Sequence, residues 1–141
     1  MVLSINYLAV LVAAIVAYAV GAWWHSPAGF GRHWQRMMGF TSDSMHKMPL
    51  TAVQAMLIGF IITVLVSYVL AHFVVLLIPV AAPAWLMLSL QLGFWVWLGF
   101  LAPTVANGWL WEGKSIKLFL FNAAYQLVSI EIMAVLLGLW R

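Results

Sequence analysis

The chain has 141 residues, of which 67% are hydrophobic and 6% charged, with a formal net charge of +3 and a mean hydropathy of +1.09. Soluble domains carry about 25% charged residues and about half apolar ones, so a water-soluble globular fold is excluded and a membrane protein is predicted. Without cysteine, disulfides, thiol nucleophiles, iron–sulfur clusters and thiolate zinc sites are excluded as well.

A spanning helix takes roughly 20 residues, so the length admits four spans in one membrane domain covering residues 1–141. The first is predicted at about residues 5–24, with Tyr7, Trp23 and Trp24 as interfacial aromatics. Ala17, Tyr18 and Ala19 resemble a signal-peptidase triplet, but no basic residue precedes the apolar run, so a span is the better reading. Ser26 and Pro27 read as the cap and first position of a short helix. Phe30, Trp34, Met37 and Met38 fall on one face of it, and Arg32, Gln35 and Arg36 on the other. That pattern predicts an interfacial amphipathic helix between spans one and two. Gly29 and Gly31 weaken its first turn by roughly 1 kcal/mol each, which moves its start toward Gly31. Thr41, Ser42 and Asp43 are suited to cap another short turn.

The second span is predicted at about residues 50–78 and the third at 84–105. Pro79 and Pro83 bracket a connection that leaves room only for a tight turn, so these two spans are expected to form an antiparallel hairpin. Pro103 removes an amide donor and is expected to kink the third span, freeing a carbonyl near Gly99. The fourth span is predicted at about residues 116–140. The fold class is therefore all-α, a bundle of four transmembrane helices.

Basic residues are retained on the cytoplasmic side of short loops. Arg32, Arg36 and Lys47 lie between spans one and two, and Lys114 and Lys117 between spans three and four, against Arg141 alone on the opposite side. The expected placement is a multi-pass protein of the bacterial inner (cytoplasmic) membrane with both termini outside. The basic residues flank spans and form no nucleic-acid groove.

Helices in lipid gain little hydrophobic drive for association, so small residues that let backbones approach carry the packing signal. Ala9, Ala13, Ala17 and Gly21 recur every four residues in span one, and Ala55, Gly59, Thr63, Ser67 and Ala71 do so in span two. The two ridges are expected to meet each other or to serve a homo-oligomer.

Glu131 is the acid deep within a span, where a charge costs roughly 3 kcal/mol. It is expected to be protonated, paired or facing water, with Gln91 and His72 as candidate partners for a proton or ion site. The plainer reading makes it a hydrogen-bonding strut between helices. Asn122, Gln126 and Ser129 occupy the opposite face of span four, which favours self-association or a lined cavity. His25, His33, His46 and His72 lack the spacing of a metal site, so no metal and no cofactor is expected. No phosphate-binding glycine loop or nucleophile elbow is present.

Two blocks resemble a known family. Gly21-Ala22-Trp23-Trp24-His25-Ser26-Pro27, followed by Phe30-Gly31 and Trp34, is similar to its "G-x-x-W-Y-S-P … F-G-x-x-W" signature. Leu98-Gly99-Phe100-Leu101-Ala102-Pro103-Thr104, continuing through Glu112-Gly113-Lys114, Lys117-Leu118-Phe119 and Asn122-Ala123-Ala124-Tyr125, is similar to a second block. The family is that of small bacterial four-helix membrane proteins catalogued as domain of unknown function 1761, and the likeness covers nearly the whole chain. His25 stands where the family usually has tyrosine. The resemblance implies the fold and leaves activity open.

The repeated residues admit two readings. They are architectural, with Glu112 reaching an arginine of the first loop, or Trp24, His25, Asn107, Glu112 and Asn122 form a polar cytoplasmic site. The expected function is a noncatalytic, self-associating integral membrane protein whose partners are the lipid bilayer and other copies of itself. The alternatives are a small oligomeric transporter or channel with a path past Glu131, its ion or small-molecule substrate unknown, and a membrane enzyme or lipid-binding protein using the cytoplasmic cluster.

Overall fold

The structure, a computed structural model, describes residues 4–140; Arg141, counted above on the side of the termini, lies outside them. Among the described residues every regular element is helical: α1 (Tyr7–Trp24), α2 (Gly31–Met38), α3 (Ser42–His46), α4 (Ala52–Leu77), α5 (Trp85–Val96), a π-helical turn (Trp97–Leu101), α6 (Ala102–Leu110) and α7 (Ile116–Leu139). The stretch Trp85–Leu110 is a continuous rod, so the structure holds four helices long and apolar enough to cross a membrane.

Side-chain caps set the beginnings of the long helices. Asn6 Oδ1 accepts from the Ala9 amide, Ser115 Oγ accepts from Leu118, and Thr51 forms a reciprocal capping box with Gln54. Asn6 Nδ2 also donates to the Trp140 carbonyl at 3.0 Å, tying the start of α1 to the end of α7. The helix α2 starts at Gly31, where the two glycines move it, and Ser26 and Pro27 do not form its cap and first position. Ser26 Oγ donates to the Trp23 carbonyl and accepts from the Gly29 amide, so residues 26–30 form a separate turn and the regular helix begins at Gly31. Gly29 and Gly31 are there for space: a Cβ on either would collide with backbone carbonyls of Trp23, His25 or Ser26. Thr41 caps α3 by accepting from Ser44, as its sequence suggests.

Pro103 has its effect one turn upstream. A proline inside a helix offers no amide and crowds the carbonyl four residues back, and the chain accommodates this by widening to the π turn, in which the Ala102 amide donates to Trp97, five residues back. Thr104 Oγ1 donates to the Phe100 carbonyl and so takes up part of the freed acceptor capacity. The Trp97 indole N–H donates to the Ala123 carbonyl at 2.8 Å, which pins the widened turn to α7.

The helix α7 is the axis of the fold. It packs extensively on α5 and α1 and also touches α2, α4 and α6, while α1 lies along α4. The expected hairpin of spans two and three holds in connectivity and not in packing: α4 and α5 scarcely meet, and each leans on other helices. The core contains Ala13, Ala14, Ala17, Leu70, Ile130 and Ala134, each at most 2% exposed. The span-one ridge is therefore wholly interior, Gly21 included, because a Cβ there would strike the hydroxyl of Tyr125 on α7. The span-two ridge is divided. Ser67 and Ala71 are buried, and Ser67 Oγ donates across to the Val10 carbonyl at 2.9 Å. Ala55 is exposed, and Gly59 and Thr63 are half-buried, because α1 and α4 diverge toward the end that carries the two longer loops. The hydroxyl of Tyr18 bridges the gap by donating to the Met56 carbonyl at 2.6 Å.

Candidate functional site

The intramembrane acid sits at the α5–α7 contact. Glu131 is half-buried and its carboxyl lies over Gly93, where a Cβ would stand 2.7 Å from Oε2. Glycine at that position makes room for the carboxyl. Oε2 is buried and has no hydrogen-bond partner. The structure does not bring Gln91 and His72 to it: Gln91 is exposed, and the His72 ring bonds through Nδ1 to the Tyr68 carbonyl of its own helix at 2.8 Å. Glu131 lines none of the cavities described below.

Of the five residues considered for a polar site at the loop end, four divide into two pairs on different faces of α7. Trp24 and His25 join an aromatic cluster with Phe30, Trp34, Phe121 and Tyr125, in which the His25 ring lies edge-on to Tyr125 with centroids 4.7 Å apart. His25 Nδ1 contacts the Gly21 carbonyl at 2.9 Å, and since a carbonyl only accepts, Nδ1 is the donor there. Trp24 Nε1 is buried in the cluster without a partner. Glu112 and Asn122 face instead a cavity of about 220 Å³ shared with Thr104, Gly108, Lys114 and Phe119. Glu112 pairs there with Lys114 of its own loop at 2.6 Å rather than with an arginine of the first loop. Both side chains are about half exposed, so the pair is solvent-screened and contributes little to stability. Asn107 is exposed and lines neither place. Contact between the first loop and α7 is thus aromatic, where the sequence suggested an ion pair.

A third place was only partly legible. Because α4 diverges from the Trp85–Leu110 rod, a groove opens between them with α7 as its floor. Its loop-side part holds about 210 Å³ and is bounded by Ile62 and Thr63 of α4, Leu101 of the π turn, and Tyr125, Gln126 and Ser129 of α7. A second, apolar part of about 270 Å³, between Leu65, Val69 and Phe73 of α4 and Val96 of α5, shares Val66, Leu101 and Ile130 with the first. Ile62 and Leu65 at the rim are more than half exposed, so the groove opens sideways. Among its polar groups, Thr63 Oγ1 donates to the Gly59 carbonyl, and the Gln126 Oε1 atom is buried without a partner. Gln126 and Ser129 were visible in the sequence as a polar stripe. Tyr125 was visible only as the end of the second family block, and nothing in local sequence shows that the π turn places Leu101 opposite it.

Among the described residues no three of His, Asp and Glu gather as a metal site. A family model described as a protein of unknown function, DUF1761, matches residues 8–138. No curated protein and no solved structure matches the chain.

Proposed function

Since this chain belongs to the DUF1761 family of proteins of unknown function, we propose on the geometry that it is a noncatalytic multi-pass membrane protein that self-associates along the loop-side half of α4. One observation carries this reading: the small-residue stripe of α4 is only partly used inside the chain, with Ser67 and Ala71 buried, Gly59 half-buried and Ala55 exposed. A Cβ on Gly59 would meet only the Tyr18 ring, at 3.6 Å. Such a stripe lets a second helix approach closely in lipid, where van der Waals contact is the main attraction. Two differently tagged copies expressed together are expected to co-purify in mild detergent. Gly59→Leu is expected to reduce co-purification at least fivefold, roughly 1 kcal/mol in equilibrium terms, without shifting the thermal unfolding of either copy. Co-purification unchanged by Gly59→Leu removes this surface as the interface. The transport reading lacks comparable support, because the Glu131 carboxyl is packed on Gly93 rather than on a cavity.

The placement proposed is the bacterial cytoplasmic membrane with both termini outside. Its support is that Arg32, Arg36, Lys47, Lys114 and Lys117 are all exposed at one end of the helices. His46 and Ala81 are exposed at opposite ends. Cysteines in their places are expected to react with an impermeant maleimide on opposite sides of the membrane, Ala81→Cys in intact cells and His46→Cys only after permeabilisation. The reverse pattern overturns the orientation.

A further inference from the structure

We infer that the cavity between α6 and the first turns of α7 holds the head of a zwitterionic phospholipid with a primary ammonium, the ammonium on Glu112 and the phosphate on Lys114. The turn between the two helices builds the place. Gly113 has a φ of +68°, a left-handed conformation open to glycine, and the chain doubles back so that the Lys114 amide donates to the Gly108 carbonyl of α6 at 3.0 Å. The side chains on either side of Gly113 are thereby brought over Gly108, where a Cβ would stand 3.2 Å from Lys114 Cδ and 3.8 Å from both Lys114 Nζ and Glu112 Oε2. Each keeps about half of its surface exposed, so both charges are within reach of a ligand. The cavity continues between Thr104 of α6 and Asn122 of α7 and holds about 220 Å³, the share of about seven waters at about 30 Å³ each and room enough for a phosphoethanolamine group.

Charge, hydrogen-bonding capacity and depth each narrow the occupant. Among the residues that line the cavity, Glu112 is acidic and Lys114 basic, so a ligand of one sign alone is attracted by one and repelled by the other. A ligand with both charges replaces the Glu112–Lys114 pair with two pairs, and the one it displaces is solvent-screened and cheaply given up. The occupant is therefore a zwitterion. The groups offered to its positive end accept only: the Glu112 carboxylate, and the Thr104 hydroxyl, whose proton is engaged by the Phe100 carbonyl. The positive end must then donate, which a primary ammonium does and a trimethylammonium does not. The Lys114 ammonium has donors alone, which suits a phosphate oxygen. Depth names the source. Asn122 lies six residues into α7, about 9 Å from its start at 1.5 Å per residue, and the exposed Trp109 and Trp111 adjoin Gly108 and Glu112 in the chain, as aromatics do at headgroup level. The cavity therefore opens where lipid heads are crowded. This site is separate from the Ala55–Gly59 edge of α4 and does not depend on self-association.

The test uses the full chain in mild detergent, mixed with equal amounts of phosphatidylethanolamine, phosphatidylcholine and phosphatidylglycerol of identical acyl chains, with bound lipid read by native mass spectrometry. Phosphatidylethanolamine is expected to be retained about fivefold more than either of the others, the scale of one net hydrogen bond. Glu112→Gln removes the acid and leaves Lys114, so it is expected to invert the order, with phosphatidylglycerol above phosphatidylethanolamine and thermal unfolding unchanged. Lys114→Gln is expected to bring phosphatidylethanolamine down to the level of phosphatidylcholine. Lys47→Gln, in the exposed Asp43–Lys47 pair that lines no part of the cavity, is expected to bind like the wild type. Equal retention of the three lipids, or an order indifferent to Glu112→Gln, overturns zwitterion recognition here. Loss of the preference in Lys47→Gln overturns the location. Glycerophosphoethanolamine at millimolar concentration carries the same head and is expected to leave the lipid in place; displacement by it overturns the lipid source and makes a free zwitterion the occupant.

Discussion

Ala13→Leu is expected to cost about 3 kcal/mol of fold stability, the upper end of the range for overpacking a close-packed interior. Ala13 has no exposed surface and sits where α1 is pressed between α4 and α7. Both neighbours are held there by specific contacts, Ser67 on the Val10 carbonyl to one side and the Tyr125 hydroxyl over Gly21 to the other. A leucine must push one of them away, and the alanines at positions 9, 14 and 17 leave no slack along the helix. Thermal unfolding in detergent checks this, with Ile61→Ala as the comparison. Ile61 is 65% exposed, so in micelles detergent replaces the lost methylenes and the midpoint is expected to stay near that of the wild type. A wild-type midpoint for Ala13→Leu would show that α1 is not packed between these helices.

The second large effect is a coupling. Gly93→Val places side-chain atoms where the Glu131 carboxyl now lies, with Oε2 at 2.7 Å and the Ala134 methyl at 3.3 Å from the new Cβ. The expected loss is about 2 kcal/mol. Glu131→Ala empties that space, and the double variant is expected to recover at least about 1 kcal/mol of the loss, a non-additivity typical of side chains in contact. Glu131→Gln, similar in shape, is expected to unfold like the wild type. Glu131→Leu also removes no hydrogen bond at Oε2, so it is expected to be tolerated, whereas a strut between helices would be weakened by it. Additive single and double variants would place the carboxyl away from Gly93. Measured on the same proteins in liposomes, proton or cation flux that Glu131→Gln abolishes would restore the transport reading.

Much of the architecture is written in the residues. A 20-residue apolar run has few alternatives in a membrane, and the spans expected at about residues 5–24, 50–78 and 116–140 contain α1, α4 and α7, whose starts the structure fixes by caps at Asn6, Thr51 and Ser115. The four-residue spacing of Ala9, Ala13, Ala17 and Gly21 put them in line on one face, and the structure turns that face inward. What the sequence did not disclose is which helix stands at the centre. In water a buried face is apolar and an outer face polar, but in lipid both are apolar, so the pattern that orients a soluble helix is faint here. The centrality of α7 therefore escaped, and with it the neighbours of its side chains. Asn122 and Gln126, one turn apart, open into different cavities because the π turn and α6 intervene between them and the groove. Glu131 meets a glycine rather than Gln91 for a related reason: the partner of a buried acid is set by how two helices cross, and Gln91 lies on the outer side of α5.

The turn at residues 26–30 has a mechanical consequence. Gly29 and Gly31 fit so closely against the end of α1 that an added methyl has nowhere to go, and the Phe30 amide donates back to the Trp24 carbonyl at 2.9 Å. Trp24, Phe30 and His25 in turn rest on Phe121 of α7. The basic helix α2 is consequently not a loose tether but the short arm of a lever, with its fulcrum at the α1 elbow and its load on α7. Anything that grips Arg32 or Arg36 applies torque to α7, the helix against which α1 and α5 pack most heavily.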